Sequence, residues 1–362
     1  MIRRLRTALL VLLLAAIALA ALAWHLSWHP TAHAAVLPAC KGAPPSLAPG
    51  QTLKVMTWNV QFLAGKRYLF WYDAPEGRSH DEQPTPEDIA HDLDEVVRVI
   101  REEQPDVVLL QELDDGAKAT GYQNQLALLQ ERLVDLYPCS VEAFDWKARF
   151  VPSPQVFGSV GRKLATLSRY RIDQAERWQL PETASPLRLF RPQRVLLGAY
   201  LPIAGGQHLA VLNTRLEPYH KGSQAQAEQL QAVAARVDRL KGLGAPWLLG
   251  GDFNLLPLGQ YPRLEPRQQS RYSPEDDLHL LWERYPIIPS NAQAGGADRA
   301  DWFTHFPATA NGPDRTLDYL VHSPRLQQLE ARVRQEDTLG ISDHLPLMAR
   351  FLLPPKVTGG SP

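Results

Sequence analysis

Carboxylate, amide and histidine side chains recur in this sequence where short apolar segments end. Residues at the ends of strands converge on one rim of a sheet, where the sites of α/β proteins usually form. Oxygen ligands of this kind suit a hard cation such as Mg²⁺ or Mn²⁺, which would polarise a phosphoryl oxygen. The set comprises Asn59, Glu112, Asp252, Asn254, Asp318, Asp343 and His344.

Each of these motifs by itself predicts little. Asn59 after a strand is typical of a turn, and Glu112 of a solvated strand end. Ser342-Asp343-His344 is equally consistent with an Asx turn. Asp252 and Asn254 could cap a tight turn, although the preceding Gly250-Gly251 indicates a close approach of the backbone to another group.

The order of the motifs resembles the endonuclease/exonuclease/phosphatase superfamily, which includes deoxyribonucleases, apurinic endonucleases, bacterial sphingomyelinases and inositol polyphosphate 5-phosphatases. The resemblance extends over residues 53–353. It rests on Thr57-Trp58-Asn59, Gln111-Glu112, Gly250-Gly251-Asp252-Phe253-Asn254, Asp318-Tyr319 and Ser342-Asp343-His344-Leu345-Pro346.

The resemblance implies a metal site and assigns its ligands. Glu112 corresponds to the principal metal-binding carboxylate, Asn59 to an amide that supports the metal and phosphate, and Asp343 to a second metal-side carboxylate. The expected ion is Mg²⁺ or Mn²⁺.

The resemblance also implies the groups that act on the substrate. Asp252 corresponds to the carboxylate that orients or deprotonates the attacking water, and Asn254 to the amide that holds a phosphoryl oxygen. His344 corresponds to the histidine that contacts the scissile phosphate, and Asp318 to its carboxylate partner. An imidazolium oriented by a carboxylate is a good donor to a phosphorane oxygen, which agrees with these roles.

One segment departs from the family pattern. Related nucleases often carry a second histidine in an Asn-Thr-His-Leu-like segment, where this chain has Arg215. Arginine cannot act as a general acid at neutral pH, but it can hold a phosphate with two hydrogen bonds. Alternatively, Arg215 pairs with Glu217 or Glu112. His220 could replace the missing histidine, although a histidine in such a loop is more typically solvated.

The elements that must position these residues alternate along the chain between apolar strands and amphipathic helices. This alternation, with several hairpins, predicts an α/β fold of four layers, in which two packed mixed β-sheets are flanked by helices. Helices are predicted at 87–103, 121–134 and 223–240. Strands are predicted at 53–58, 106–110, 164–167, 195–201, 208–214, 247–249, 317–321 and 345–353.

The N-terminus has the features of a targeting segment. Arginines precede an apolar run at 9–23, and Trp24 and Trp28 follow it. Residues 1–28 are therefore predicted to be a signal peptide or a membrane anchor, and Ala32-His33-Ala34 resembles a cleavage site. Either form places the rest of the chain outside the cytoplasm, anchored towards the periplasm or exterior, or secreted.

The remaining boundaries follow from composition. Residues 29–50 are predicted to be a Pro/Ala-rich linker, residues 51–355 the folded domain and residues 356–362 a disordered tail. The chain is expected to be a monomer. Cys40 and Cys139 are the only cysteines and cannot form a zinc site at ligand spacing, and whether they pair stays open.

The net charge of −1 argues against non-specific DNA binding, although arginines at 188, 191 and 194 could form a local basic cleft. We therefore expect a Mg²⁺-dependent hydrolase of phosphodiesters or phosphomonoesters outside the cytoplasm, acting on a lipid headgroup or a small phosphoester. The alternatives are an extracellular nuclease and a catalytically silent module that binds a phosphorylated ligand. An aromatic and basic cluster at 66–72 could contact lipid or nucleobases, or pack as a lid.

Overall fold

The computed structural model describes residues 2–68, 83–182, 188–221, 223–275, 278–307, 310 and 312–356, without the side chain of residue 188. Residues 69–72 of the aromatic and basic cluster lie outside the described residues, as do residues 357–362 of the predicted tail and the side chain of the arginine at 188.

Two mixed sheets of seven strands each form the centre of the fold, which confirms the predicted fold class. In spatial order the first sheet contains β13 (Gln327–Val333), β14 (Leu347–Leu352), β3 (Thr52–Asn59), β4 (Val107–Asp114), β6 (Gly158–Ser168), β5 (Cys139–Val151) and β2 (Ala39–Cys40). The second contains β1 (His33–Val36), β7 (Gln174–Gln179), β8 (Val195–Ile203), β9 (Gln207–Arg215), β10 (Trp247–Asp252), β12 (Asp318–His322) and β11 (Ile287–Ile288).

Helices cover the outer faces of the two sheets, except for the first helix of the chain, which has no buried residue. The long helices are α1 (Ile2–Leu26), α2 (Pro86–Glu103), α3 (Gln125–Leu133) and α4 (Ala225–Gly242), and the short ones are α5 (Pro266–Gln269), α6 (His279–Trp282) and α7 (Asn291–Gly295). The apolar faces of α2 and α3 pack on the first sheet, and that of α4 packs on the second. A third apolar cluster fills the space between the sheets. The layers are therefore helix, sheet, sheet, helix.

Local sequence explains the boundaries of α2. Thr85 and Asp88 form a capping box at its N-terminus, and Gln104 ends it in a left-handed conformation. The predicted helix at 121–134 begins later, at Gln125, because Asn124 caps it and a 3₁₀ turn (Lys118–Thr120) precedes it.

Two pairs of parallel strands set the position of the site. β3 runs parallel to β4, and β9 runs parallel to β10. Each pair therefore ends at the same edge of its sheet, and the packed sheets bring Asn59, Glu112, Arg215 and Asp252 to that edge. We call it the site edge.

The segment predicted as a linker, residues 29–50, is instead part of the fold. β1 pairs with β7, β2 pairs with β5, and Leu47 is buried between the sheets. Cys40 and Cys139 form a disulfide across the β2–β5 pairing. The proline-rich composition concealed these contacts because edge strands pair through their backbones and tolerate flanking prolines.

α1 is exposed along its whole length and is long and apolar enough to cross a membrane by length and composition. A signal sequence near the N-terminus would have the same properties.

Candidate active site

An irregularity in β4 turns Glu112 towards the site. The pairing of β4 with β6 shifts register between Leu110 and Leu113, as in a β-bulge, and Glu112 has a positive φ of 58°. A non-glycine residue in this region is uncommon and carries strain, and such residues cluster at functional sites. The bulge buries the Glu112 side chain at the site edge.

The register of the second sheet places three site residues in a row. In β10 Asp252 lies opposite Arg215 of β9 on one side and opposite Asp318 of β12 on the other. Gly251 precedes Asp252 with a φ of 149°, and a Cβ there would overlap the Thr214 carbonyl oxygen. This contact confirms the close approach of the backbone that the paired glycines predict.

Asp252 is the most heavily hydrogen-bonded carboxylate of the site. Its Oδ2 accepts hydrogen bonds from Asn59 Nδ2 at 3.2 Å, Asn254 Nδ2 at 3.2 Å and Arg215 Nε at 3.3 Å. Its Oδ1 accepts one from the Asn254 backbone N–H at 3.0 Å. These donors fix the carboxylate in position.

His344 is held between two carboxylates. Its Nδ1 donates to Asp318 Oδ2 at 2.7 Å, and its Nε2 lies 3.9 Å from Asp252 Oδ2. Burial opposes the imidazolium, but the charges of Asp318 and Asp252 outweigh burial and hold the pKa of His344 above its usual range. Thr304 fixes the other end of the pair, since its Oγ1 accepts from the backbone N–H of Asp318 at 3.1 Å. The arrangement is an oriented cationic donor.

Arg215 contacts one carboxylate from each of the two sheets. Its Nη2 forms an ion pair with Glu112 Oε1, and its Nε donates to Asp252 Oδ2. Of the two alternatives for its partner, the structure shows Glu112, while Glu217 pairs with Arg194 at 2.7 Å. His220, the candidate substitute, lies in an exposed loop and its Nε2 is 3.6 Å from Glu217 Oε1.

The residues expected to hold a metal lie at the site edge and fit a hard cation by the chemistry of their donors. Glu112 and Asp343 offer buried carboxylates and Asn59 an amide oxygen. Gln61 links two of them, because its backbone N–H donates to Asn59 Oδ1 at 3.1 Å and its Oε1 accepts from the Asp343 N–H at 2.8 Å. Asp343 also groups with His305 and His344 at distances that a metal ion could bridge.

Sequence reasoning missed His305. Its ring meets that of His344 edge to face at 4.5 Å, and its Nε2 lies 3.8 Å from Asp343 Oδ2. Burial, and then the charge of His344, lower the pKa of His305 well below the usual value, so the ring is neutral. A single histidine between apolar residues resembles a core residue, and no local pattern marked it.

Sequence reasoning also missed a buried ionic network beside the site. Asp145 of β5 pairs with Arg162 at 2.9 Å and Arg194 at 3.0 Å, and Arg194 continues to Glu217. These charges are buried and mutually compensated, so the network fixes β5 and β6 against the second sheet next to Arg215.

Comparisons with known proteins agree with the fold. Residues 56–344 match the model of the endonuclease/exonuclease/phosphatase family. No curated protein matches the chain.

Solved structures share the fold at low sequence identity. An endonuclease/exonuclease/phosphatase from Beutenbergia cavernae superposes with a TM-score of 0.55 at 23% identity, covering 84% of this chain and 72% of that one. Truncated Caenorhabditis elegans TDP2 gives 0.51 at 18% identity, covering 84% and 98%. The human Nocturnin catalytic domain, solved with a bound sulfate, gives 0.51 at 17% identity, covering 83% and 93%.

Proposed function

The chain belongs to the endonuclease/exonuclease/phosphatase family, whose members are metal-dependent phosphoester hydrolases, and on this premise we propose that it hydrolyses phosphodiester or phosphomonoester bonds outside the cytoplasm by direct attack of water. The observation that carries the proposal is the position of Asp252, which lies between Arg215 and the Asp318–His344 pair at the site edge.

Asp252 is the base in this proposal. Its carboxylate is fixed by Asn59, Asn254 and Arg215. The water oxygen forms a bond to phosphorus while its proton passes to Asp252. The bond from phosphorus to the leaving oxygen breaks, and its electron pair leaves with that oxygen.

His344 and Arg215 stabilise the charge that develops. The imidazolium of His344, oriented by Asp318, donates to a phosphoryl oxygen. Arg215 is permanently charged and buried, so it contributes a fixed positive charge and no proton. In this proposal Asn254 donates to another phosphoryl oxygen. Its Nδ2 donates to Asp252 Oδ2 and to the Leu216 carbonyl, so one of these hydrogen bonds has to be exchanged when substrate binds.

Glu112, Asp343 and Asn59 are the residues that would hold a divalent cation, with Mg²⁺ or Mn²⁺ as the candidates. When bound, the cation polarises the phosphoryl oxygen and offsets its negative charge. Oε1 of Glu112 already forms an ion pair with Arg215.

Two features support a location outside the cytoplasm. α1 carries arginines at 3, 4 and 6 before its apolar run, has no acidic residue in its first turn, and resembles an anchor or a signal sequence. The Cys40–Cys139 disulfide is typical of proteins in an oxidising compartment. Retention of α1 is favoured because cleavage after Ala34 would cut β1 in the middle of its pairing with β7.

A substrate screen tests the proposal and separates it from the silent binding module. The full chain in detergent is assayed with bis-p-nitrophenyl phosphate and p-nitrophenyl phosphate, with Mg²⁺ or Mn²⁺ and after chelation. We expect hydrolysis that requires the metal, and a loss of roughly 10²–10⁴-fold in Asp252→Asn. Exposed Asp94→Asn is the matched control. Activity that survives chelation, or none under any condition, would contradict the proposal.

A further inference from the structure

The end of α1 is attached directly to the domain. Ser27 forms a β-bridge with Ala148, and Arg149 donates to His25 Nε2 at 2.9 Å. Trp28 meets Phe144 edge to face at 6.1 Å. The connection from the helix to the domain is therefore short and bonded to β5, so the end of the helix has a defined position on the domain.

That position lies at the site edge. β6 runs antiparallel to β4, and its Arg162 pairs with Asp114, two residues beyond Glu112. The β5–β6 hairpin continues outward from there, through the pairs Ala148–Val160 and Val151–Gly158. At about 3.3 Å per residue its turn extends roughly 10–15 Å past the level of Arg162. The helix meets the hairpin on this projecting part.

The hairpin tip has the composition of a membrane-contacting surface. Phe157 is 63% exposed and stands edge to face with Phe150 at 5.1 Å. Basic groups lie on the same part of the molecule. Lys118 Nζ is 6.0 Å from the Phe157 ring, and Lys147 and Arg149 are exposed on β5. We call these residues the tip surface. Aromatic rings beside basic side chains are typical of the bilayer interface.

The base of the hairpin is fixed beside the catalytic groups. The ion pairs of Asp145 with Arg162 and Arg194 join β5 and β6 to the second sheet, and Arg194 continues to Glu217, two residues after Arg215. The tip surface and the site are thus parts of one rigid edge of the fold.

From this geometry we propose that the tip surface docks on the lipid bilayer in which α1 is embedded, and that the site edge consequently faces that bilayer and acts on a phosphoester in the headgroup of a membrane lipid. The proposal rests on the proposed hydrolase function and specifies its substrate class. A bilayer is the proposed partner of the tip surface because α1 connects directly to the hairpin. A membrane that holds α1 would therefore lie next to the tip surface.

The first experiment compares a lipid substrate with a soluble one. The full chain is reconstituted into vesicles of equal parts phosphatidylcholine, phosphatidylethanolamine, phosphatidylglycerol, phosphatidic acid and sphingomyelin. Headgroup or phosphate release is measured beside hydrolysis of bis-p-nitrophenyl phosphate. We expect Phe157→Asp to lower the ratio of lipid to soluble hydrolysis by roughly tenfold or more. Leu243→Asp replaces a residue that is 72% exposed after α4, and should leave the ratio unchanged.

The second experiment measures contact with lipid independently of catalysis. Both native cysteines are paired, so Phe157→Cys offers a single thiol for an environment-sensitive fluorophore. Spin-labelled lipids in the same vesicles should quench a probe at position 157 strongly, and a probe placed by Leu243→Cys weakly.

The outcomes separate the two proposals. Hydrolysis of neither substrate would overturn the hydrolase function, and the lipid assignment with it. Three outcomes would overturn the lipid assignment and leave the hydrolase function standing, provided that the soluble substrate is hydrolysed. They are an unchanged ratio of lipid to soluble hydrolysis in Phe157→Asp, equal quenching of the probes at positions 157 and 243, and cleavage of plasmid DNA faster than that of any lipid.

Discussion

Arg215 is the residue in which this site differs from its relatives. It stands where related nucleases often have a histidine, and it bridges Glu112, the expected metal ligand, and Asp252, the proposed base. A guanidinium at this position supplies constant charge and two-pronged geometry, but it cannot donate a proton to the leaving group.

Replacement of Arg215 by lysine should therefore change turnover without changing the pH profile. Arg215→Lys keeps the charge and loses the paired hydrogen bonds, so kcat for bis-p-nitrophenyl phosphate should fall by roughly tenfold or more. Arg215→His could introduce a new pH-dependent limb. Full activity in Arg215→Ala would show that the ion pair with Glu112 is only structural.

Asp318 and His344 should act as one unit. Replacing either with asparagine removes the same oriented donor, so each change should lower kcat/KM by roughly 10²–10⁴-fold, and the double variant should lose little more than the worse single one. Steady-state kinetics of the three variants check this. Multiplicative losses would mean that the hydrogen bond of 2.7 Å has no shared catalytic role.

At the residue scale, the sequence predicted those site residues that lie at or directly after the end of a strand. The structure brings all the predicted site residues to one edge, because their order along the chain follows the ends of neighbouring strands. The sequence offered Glu112 and Glu217 as alternative partners of Arg215 and could not decide between them, since Arg215 and Glu112 lie in different sheets. His305 and Gln61 were missed for the same reason, because their partners at Asp343 are distant in sequence.

Among the elements, α2 carries a buried carboxylate that costs stability. Burial raises the pKa of Asp92 to about 7, with Arg67 opposing and Glu95 adding to the shift. Because the folded chain binds this proton more tightly than the unfolded chain, the associated stability is present below the ordinary pKa and is lost as the pH rises through about 7.

Asp92→Asn removes the charge and should reverse that loss. The free energy of unfolding should rise by roughly 2–4 kcal/mol at pH 8 and change little at pH 3.5. Denaturant unfolding at the two pH values measures it. Asp94→Asn changes an exposed carboxylate on the same helix and is the control. An equal effect of Asp92→Asn at both pH values would contradict the assignment.

The sequence predicted the elements that have a clear hydrophobic pattern. It did not predict the elements that are recognisable only from strand pairing. The amphipathic pattern of α2 and the apolar runs of β4 and β10 are visible in sequence. The charged strand β13 was missed because its edge position needs no apolar alternation. The strand β7, which lies between β1 and β8, was missed because most of its six residues are polar or charged. The folded part of residues 29–50 was missed because its partners at β7 and Cys139 are remote in the chain.

At the scale of the whole molecule, α1 should carry the domain out of the cytoplasm. The basic residues before its apolar run stay inside, so a reporter joined after Gly50 should lie outside. Alkaline phosphatase at that position should be active and green fluorescent protein dark. The reverse pattern would remove the basis for both the proposed location and the membrane-facing site.

In the proposed reaction water attacks phosphorus directly at the site edge, with Asp252 as base. The most direct measurement is the stereochemical course at phosphorus when a phosphorothioate diester of known chirality is hydrolysed in ¹⁸O-labelled water. A single displacement by water should invert the configuration at phosphorus, with one ¹⁸O atom in the phosphorylated product and none in the alcohol. Retention of configuration would contradict direct attack, because it requires two displacements through a phosphorylated group of the protein, and label in the alcohol would contradict attack at phosphorus.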